Sequence, residues 1–298
     1  MAEISKLSGV AIADVAKVDA VTKANIANIN DLTIPADGFL LDTYTGAIAA
    51  HSFRRLNSLY TGACCRIRRS NDNAEQDIGF DSNGYVDKSA IQSFVPSNQD
   101  GFITKWYGQE SSGGTGSGND AVQTITSAQP RIIENNTFNE QGGFIVITRS
   151  QNVSRLAFDL DTTLTNSSMD MFCAFYAPTA TTMMLSSDPN DTLLIQQNGD
   201  TGNHTVRMGT PSYYFNGSQF TGTTRGDLYT ELAGQRNCGA IMDVDVNDAV
   251  RTRYGWYGSP SFINIPFYRM HEMVIFSNQS SNRVAITTEQ NNYYSIFT

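Results

Sequence analysis

From Phe39 onward, short apolar runs recur at intervals of roughly ten residues, separated by clusters of Gly, Asn, Asp and Ser. That spacing is the mark of a chain built from short strands and turns. The runs include Phe102–Tyr107, Gly143–Thr148, Leu156–Leu160, Met171–Tyr176, Thr192–Gln196, Ile241–Val246 and Met270–Phe276. Several alternate with period two. Leu156, Phe158 and Leu160 fall on one face, with Asp159 and Asp161 on the other; Met242, Val244 and Val246 alternate with Asp243, Asp245 and Asn247. Such alternation means one buried and one wet face. The pattern predicts an all-β fold, a jelly-roll sandwich of two antiparallel sheets, over residues 36–298. Short helices are expected at Thr45–Leu59 and Asp87–Val95. The Gly/Ser stretch Ser111–Gly118 reads as a flexible loop within the domain, since strand-like sequence resumes directly after it.

Residues 1–35 follow a different rule. Cut into elevens, residues 2–12, 13–23 and 24–34 align without gaps. Ala2, Ala13 and Ala24 open the copies. Ile4, Val15 and Ile26 share the third place, Leu7, Val18 and Ile29 the sixth, and Val10, Val21 and Leu32 the ninth. A period of eleven fits a helix of ~3.67 residues per turn. Apolar steps of 3, 3 and 5, with β-branched residues and turn-forming Gly and Asp/Asn between them, favour short extended pieces instead. A thin apolar stripe of this length makes no core of its own. These apolar positions are therefore expected to contact the main domain, sister subunits or a larger assembly, and Pro35–Gly38 marks the break.

Composition narrows the function. Among 298 residues the net charge is −9, and charged residues make up only 16%. An acidic chain lacks the footprint that neutralises phosphates, so nucleic acid is excluded as a partner. No apolar run is long enough for a membrane helix, and the N-terminus holds no signal-like apolar core. Cys64 and Cys65 are adjacent while Cys173 and Cys238 stand alone, a spacing that fits packing cysteines and not zinc. His51, His204 and His271 show no metal-type spacing. Asp243, Asp245 and Asn247 open like a calcium loop, but Asp248 stands where that loop needs glycine and Tyr254 where it needs glutamate. No cofactor or metal is expected.

Two stretches carry a resemblance. Ala49–Leu56, Leu59–Ala63 and Arg66–Asp72, followed by Phe102–Gln109 and Gly116–Asp120, resemble the catalytic domain of fungal α-L-arabinofuranosidase B. That resemblance implies a concanavalin-like sandwich. Gly108 replaces an aspartate of the family pattern, and Glu110–Thr115 reads as an insertion. Over nearly the whole chain, the N-terminal repeat, the Tyr60–Phe80 block and the tyrosine-rich Gln290–Phe297 tail resemble tailed-phage virion proteins with an arabinofuranosidase-like or laminin-G-like domain. This implies a capsid decoration or a tail fibre, located on the virion and contacting other virion proteins. It also implies a homo-oligomer, first of all a trimer, with a host surface glycan as a further partner.

A retaining glycosidase needs two carboxyl groups on either side of the scissile bond. The family's aspartate–methionine–glutamate–asparagine strand has no match here. The nearest carboxylate-bearing stretches are Asp227–Glu231 and Asp243–Asp245. Cys64-Cys65 lies on an earlier strand than the family's vicinal cysteine pair. The expectation is therefore a binding or structural chain and not an enzyme, with an arabinofuranosidase-like glycoside hydrolase as the alternative. Candidate glycan-binding residues are Trp106, Tyr107, Gln109, Asn119, Asp120, Trp256 and Tyr257, with Tyr213 and Tyr214 as further aromatics able to stack on a sugar. Arg66, Arg68 and Arg69 are read as ion-paired with Asp72, Glu75 or Asp77, or as an inter-subunit contact.

Overall fold

The computed structural model describes residues 38–147, 157–165, 168–181, 184–188, 191–246, 253–255 and 269–298, together with short paired backbone segments within 17–33. The described residues form a β-sandwich. One sheet runs in the order Ser218–Phe220, Ser212–Phe215, Arg236–Val244, Met169–Tyr176, Arg269–Phe276, Ala47–Ser52, every pair antiparallel. The other is organised around Gly101–Trp106, which pairs with Cys65–Arg69, Arg131–Glu134 and Ala121–Val122 and continues through Ala157–Leu160. Between the sheets lies the main core, including Trp106, Phe158, Met171, Phe175, Ile241 and Ile275. A second apolar layer, with Phe172, Met242, Val274 and Ile286, sits between the first sheet and the helix Arg283–Tyr294.

The helix expected at Thr45–Leu59 is corrected to a strand, Ala47–Ser52. Its small residues are a two-sided strand pattern. Ala49 and Phe53 enter the inter-sheet core while Ala50 faces the helix layer. A short helix precedes it at Leu40–Thr43. The other expected helix forms as Lys88–Phe94, with the Asp87 carboxylate accepting from Ala90 N at 2.9 Å. The helices Arg225–Leu232 and Arg283–Tyr294 were not expected from sequence. In the latter the apolar stripe is interrupted by buried Thr287 and Gln290, so no periodic signal stands out.

In the N-terminal segment, Lys17–Val18 pairs with Val21–Thr22, and Asn28–Ile29 pairs with Leu32–Thr33. The two hairpins lie one eleven-residue repeat apart, which agrees with extended pieces joined by turns. Ile4, Leu7, Val10, Val15 and Ile26 lie outside the described residues; for Val18, Val21, Ile29 and Leu32 only the backbone pairing is described.

A buried ion network fastens the C-terminal helix to the first sheet. Arg54 donates through Nε and Nη2 to Glu272 at 2.7 and 2.9 Å, and through Nη1 and Nη2 to Glu289 at 2.6 and 2.7 Å. Ser52, Gln290 and Tyr294 also donate to Glu272, at 2.9, 2.9 and 3.1 Å. The Tyr293 ring lies 4.5 Å from the guanidinium. Burial alone would lower the Arg54 pKa, but the two carboxylates hold it well above the usual value; Arg54 in turn holds Glu272 below the ordinary carboxylate range despite burial. Removing one partner of such a pair strands buried charge, so Arg54→Met should cost about 3–5 kcal/mol in urea unfolding.

His51 and His271 are fully buried. His51 Nδ1 pairs with the Tyr254 hydroxyl at 2.9 Å, and His271 Nδ1 donates to the Ile145 carbonyl at 3.0 Å. Burial lowers their pKa values to about 3 and about 4. An unfolded chain binds these protons near pH 6.5, well before the folded one does. Stability is thus lost as pH falls below about 6.5, by about 1.4 kcal/mol per unit for each histidine, until the folded pKa is reached. Urea titrations between pH 7 and 4.5 should show this slope, and His51→Gln with His271→Gln should flatten it.

Candidate functional site

The strand Arg236–Val244 changes face in mid-course. Ala240 and Met242 face the helix layer, and Ile241 faces the inter-sheet core. Strict alternation would return residue 243 to that core. Instead the register against Met169–Tyr176 shifts, since Met171 pairs with Ile241 while Met169 pairs with Val244. This bulge leaves Asp243 exposed with φ at +63°, and Val244 and Val246 take over the core positions. The sequence placed Met242, Val244 and Val246 on one buried face. All three are buried, but across the bulge they belong to two different layers. Bulges of this kind re-aim side chains and recur beside active sites.

Asp170, opposite the bulge, holds it in place. It is buried, accepting from Asp243 N at 3.3 Å and from Ser280 Oγ at 3.0 Å. Ser168 Oγ donates to Asp243 Oδ1 at 3.0 Å, and Asp245 N donates to the Met208 carbonyl at 3.2 Å. Gly209 follows at φ +75°, where an added Cβ would lie 3.0 Å from Asp245 Cβ. Glycine there permits both the left-handed turn and the close approach.

Gly209 also lines a cleft of about 420 Å³. Its walls include Asn203, His204, Ser212, Tyr213, Gln219 and Phe220. His204 meets the Tyr213 ring edge-on at 4.8 Å, and Phe220 lies 5.8 Å away. His204 Nε2 donates to the Gly222 carbonyl at 3.0 Å, and Nδ1 accepts from Thr205 Oγ1, also at 3.0 Å. Burial lowers the His204 pKa, which favours the neutral ring. The cleft thus combines half-buried aromatic faces with amide and hydroxyl groups, and Gly209 on its wall closely approaches Asp245. These are the elements that stack on a sugar ring and hydrogen-bond its hydroxyls.

The residues singled out in the sequence fall elsewhere. Trp106 is in the core, 5.1 Å from the Phe53 ring. Tyr107 is buried and donates to Asp77 at 2.7 Å. Gln109 bridges Leu56 N to the Ser52 and Arg54 carbonyls. Asn119 ties Thr162 in place, and Asp120 accepts from Gly108 N and Lys105. All five of these glycan-binding candidates are buried interior residues that fasten the loop after Trp106. Trp256 and Tyr257 lie outside the described residues. Tyr213 lines the cleft, whereas Tyr214 lies under Arg283 at 3.7 Å. The Asp227 carboxylate is used in a capping box with Thr224. Arg66 pairs with Asp77 and Arg69 with Asp72, while Arg68 donates to Gln129 and Asn73. Cys64 and Cys65 are buried and free.

No family model matches the chain, and neither does any curated protein. Solved structures do. A GH54 α-L-arabinofuranosidase soaked with a cyclic sulfate inhibitor superposes with a TM-score of 0.55 at 14% identity over 87% of this chain. A glutamate-to-glutamine variant of a GH54 α-L-arabinofuranosidase, soaked with 4-nitrophenyl α-L-arabinofuranoside, gives 0.52 at 14% identity over the same share. This chain spans 65% of the length of each. At this identity the likeness defines the fold, a β-sandwich shared with glycoside hydrolases. It corrects one expectation: a missing nucleophile motif was read as absence of enzymatic activity, but the scaffold is one that carries glycoside hydrolysis in its structural relatives, so the non-enzymatic reading does not stand.

The left-handed backbone at Asp243 makes its own forecast. Asp243→Val should lower stability by ~1–2 kcal/mol, the cost of a left-handed conformation for a residue with a branched Cβ, whereas Asp243→Gly should change it far less, as urea unfolding would show.

Proposed function

We propose that this chain is a carbohydrate-active domain of the arabinofuranosidase type, with a concanavalin-like sandwich. Its saccharide site is the cleft lined by His204, Tyr213 and Phe220, and its reacting carboxylates are Asp243 and Asp245. The observation that carries this reading is the bulge together with Gly209, which lines the cleft and closely approaches Asp245 just beyond the bulge. Glycoside hydrolysis uses one carboxylate on the anomeric carbon or its attacking water and one carboxylic acid on the leaving oxygen. Asp245, braced against Met208 and Gly209, supplies the fixed carboxylate. Tyr213 and Phe220 supply an apolar floor for the sugar ring, and Asn203, Thr205 and Gln219 offer partners for its hydroxyls. The fold relationship to GH54 enzymes supports an arabinofuranoside as the first substrate to try. Incubation with 4-nitrophenyl α-L-arabinofuranoside should release nitrophenol, and Asp245→Asn should lower kcat by ~10⁴-fold. No release above buffer, or full activity in both Asp243→Asn and Asp245→Asn, would overturn the assignment.

A second reading concerns deployment and is compatible with the first. The paired hairpins one repeat apart favour an anchor built from residues 1–35. In this reading the sandwich is displayed on a virion, as a capsid decoration or tail fibre, by a homotrimer that contacts other virion proteins and a host surface glycan. Native mass measurement tests it. A trimer for the full chain and a monomer for a chain beginning at Asp37 are expected; monomers in both cases would remove the anchor.

A further inference from the structure

A second cavity, of about 360 Å³, is lined by other segments than the cleft: Leu41–Asp42, Tyr44–Ala47, Asn57–Leu59, Glu110 and Ser112. It is held by local bonds. Leu41 N donates to the Leu56 carbonyl at 2.8 Å. Asp42 Oδ1 accepts from Ser58 N at 3.0 Å. Asn57 spends its amide nitrogen on the Gln109 and Ser111 carbonyls, at 3.3 and 3.2 Å, and its oxygen on Leu59 N at 2.9 Å. Glu110 is mostly buried. Oε2 accepts from Ala50 N at 3.2 Å and Oε1 from Asn119 N. The walls are thus fixed by backbone bonds before any ligand arrives.

The lining is one-sided in charge. It holds two carboxylates, Asp42 and Glu110, and no Lys, Arg or His. The guanidinium of Arg55 feels Asp42 but donates to the Tyr60 carbonyl. Each carboxylate oxygen bound by one N–H keeps a further lone pair. The apolar side is equally distinct: Leu41, Tyr44 and Ala47 line the wall, and Leu59 is 58% exposed, one of the few large apolar side chains left in solvent. A pocket of this volume fits a small organic molecule.

We propose that this cavity binds a small organic cation, a primary ammonium on an apolar body. The ammonium would sit between Asp42 and Glu110 and the body against Tyr44 and Leu59. Three N–H donors match the spare carboxylate lone pairs, and the ring and Leu59 cover the rest of the ligand. Burial raises the Glu110 carboxyl above its ordinary pKa, a penalty that a bound cation offsets. The assignment is independent of hydrolysis in the cleft.

Benzylamine is the probe, with benzyl alcohol as its neutral counterpart, followed by amide chemical shifts of the full chain at pH 7. Saturable shifts at Asp42, Tyr44 and Leu59 are expected with benzylamine, and binding of benzyl alcohol at least tenfold weaker. Asp42→Asn keeps an acceptor for Ser58 N and should weaken benzylamine roughly tenfold or more. Leu59→Ser alters a side chain that is more than half exposed in the free protein and should also weaken it, so the test survives if the Asp42 variant fails to fold. Equal binding of amine and alcohol, or no saturable shift at these residues, overturns the proposal.

Discussion

The Arg54 guanidinium is the interaction on which the arrangement of layers depends. It leaves the strand Ala47–Ser52 at its end, binds Glu272 on the neighbouring strand and Glu289 on the C-terminal helix, and lies on the Tyr293 ring. Two anions and one cation out of water are costly unless every polar atom finds a partner. Here Ser52, Gln290 and Tyr294 supply the remaining donors to Glu272. The network therefore fixes one position of the helix on the sheet, and so the layer that covers Phe172 and Met242. Nonspecific apolar packing alone would allow the helix to slide.

That fixed sheet is what makes the bulge at Asp243 meaningful. The strand Arg236–Val244 is buried on both faces for most of its length and has no freedom to turn. The extra residue at the bulge is accommodated because Asp170 binds its backbone and the turn at Ser280 together. A carboxylate in a left-handed conformation at the end of a fully packed strand stores local strain, which the surrounding sheet compensates. The adjacent cleft, with aromatic walls and few charges, is the chemistry that a sugar-binding surface requires.

The loop between Trp106 and Ala121 serves a structural purpose. Gln109, Asn119 and Asp120 look like ligand-binding residues because they are polar and lie near aromatics. Inside the fold, Gln109 and Asn119 hydrogen-bond backbone groups of neighbouring segments, and Asp120 accepts from Gly108 N and Lys105. The same polar chemistry that binds a sugar also satisfies the backbone of an irregular loop, and only burial distinguishes the two uses.

The sequence by itself determined the β-sandwich class, the helix that follows Asp87 and the eleven-residue repeat, because side-chain alternation and periodicity are local rules. It misread Thr45–Leu59 as helix, since Ala-rich sequence satisfies helical propensity until a neighbouring strand claims it. It also chose Trp106 and Tyr107 as surface aromatics, because alternation does not say which face of a strand meets the second sheet. Tertiary structure decided three things: the bulge that switches faces between Met242 and Val244, the assembly of His204, Tyr213 and Phe220 into one cleft, and the burial of Arg54 with two distant glutamates. Each depends on contacts between residues far apart in the chain, and no local pattern encodes them.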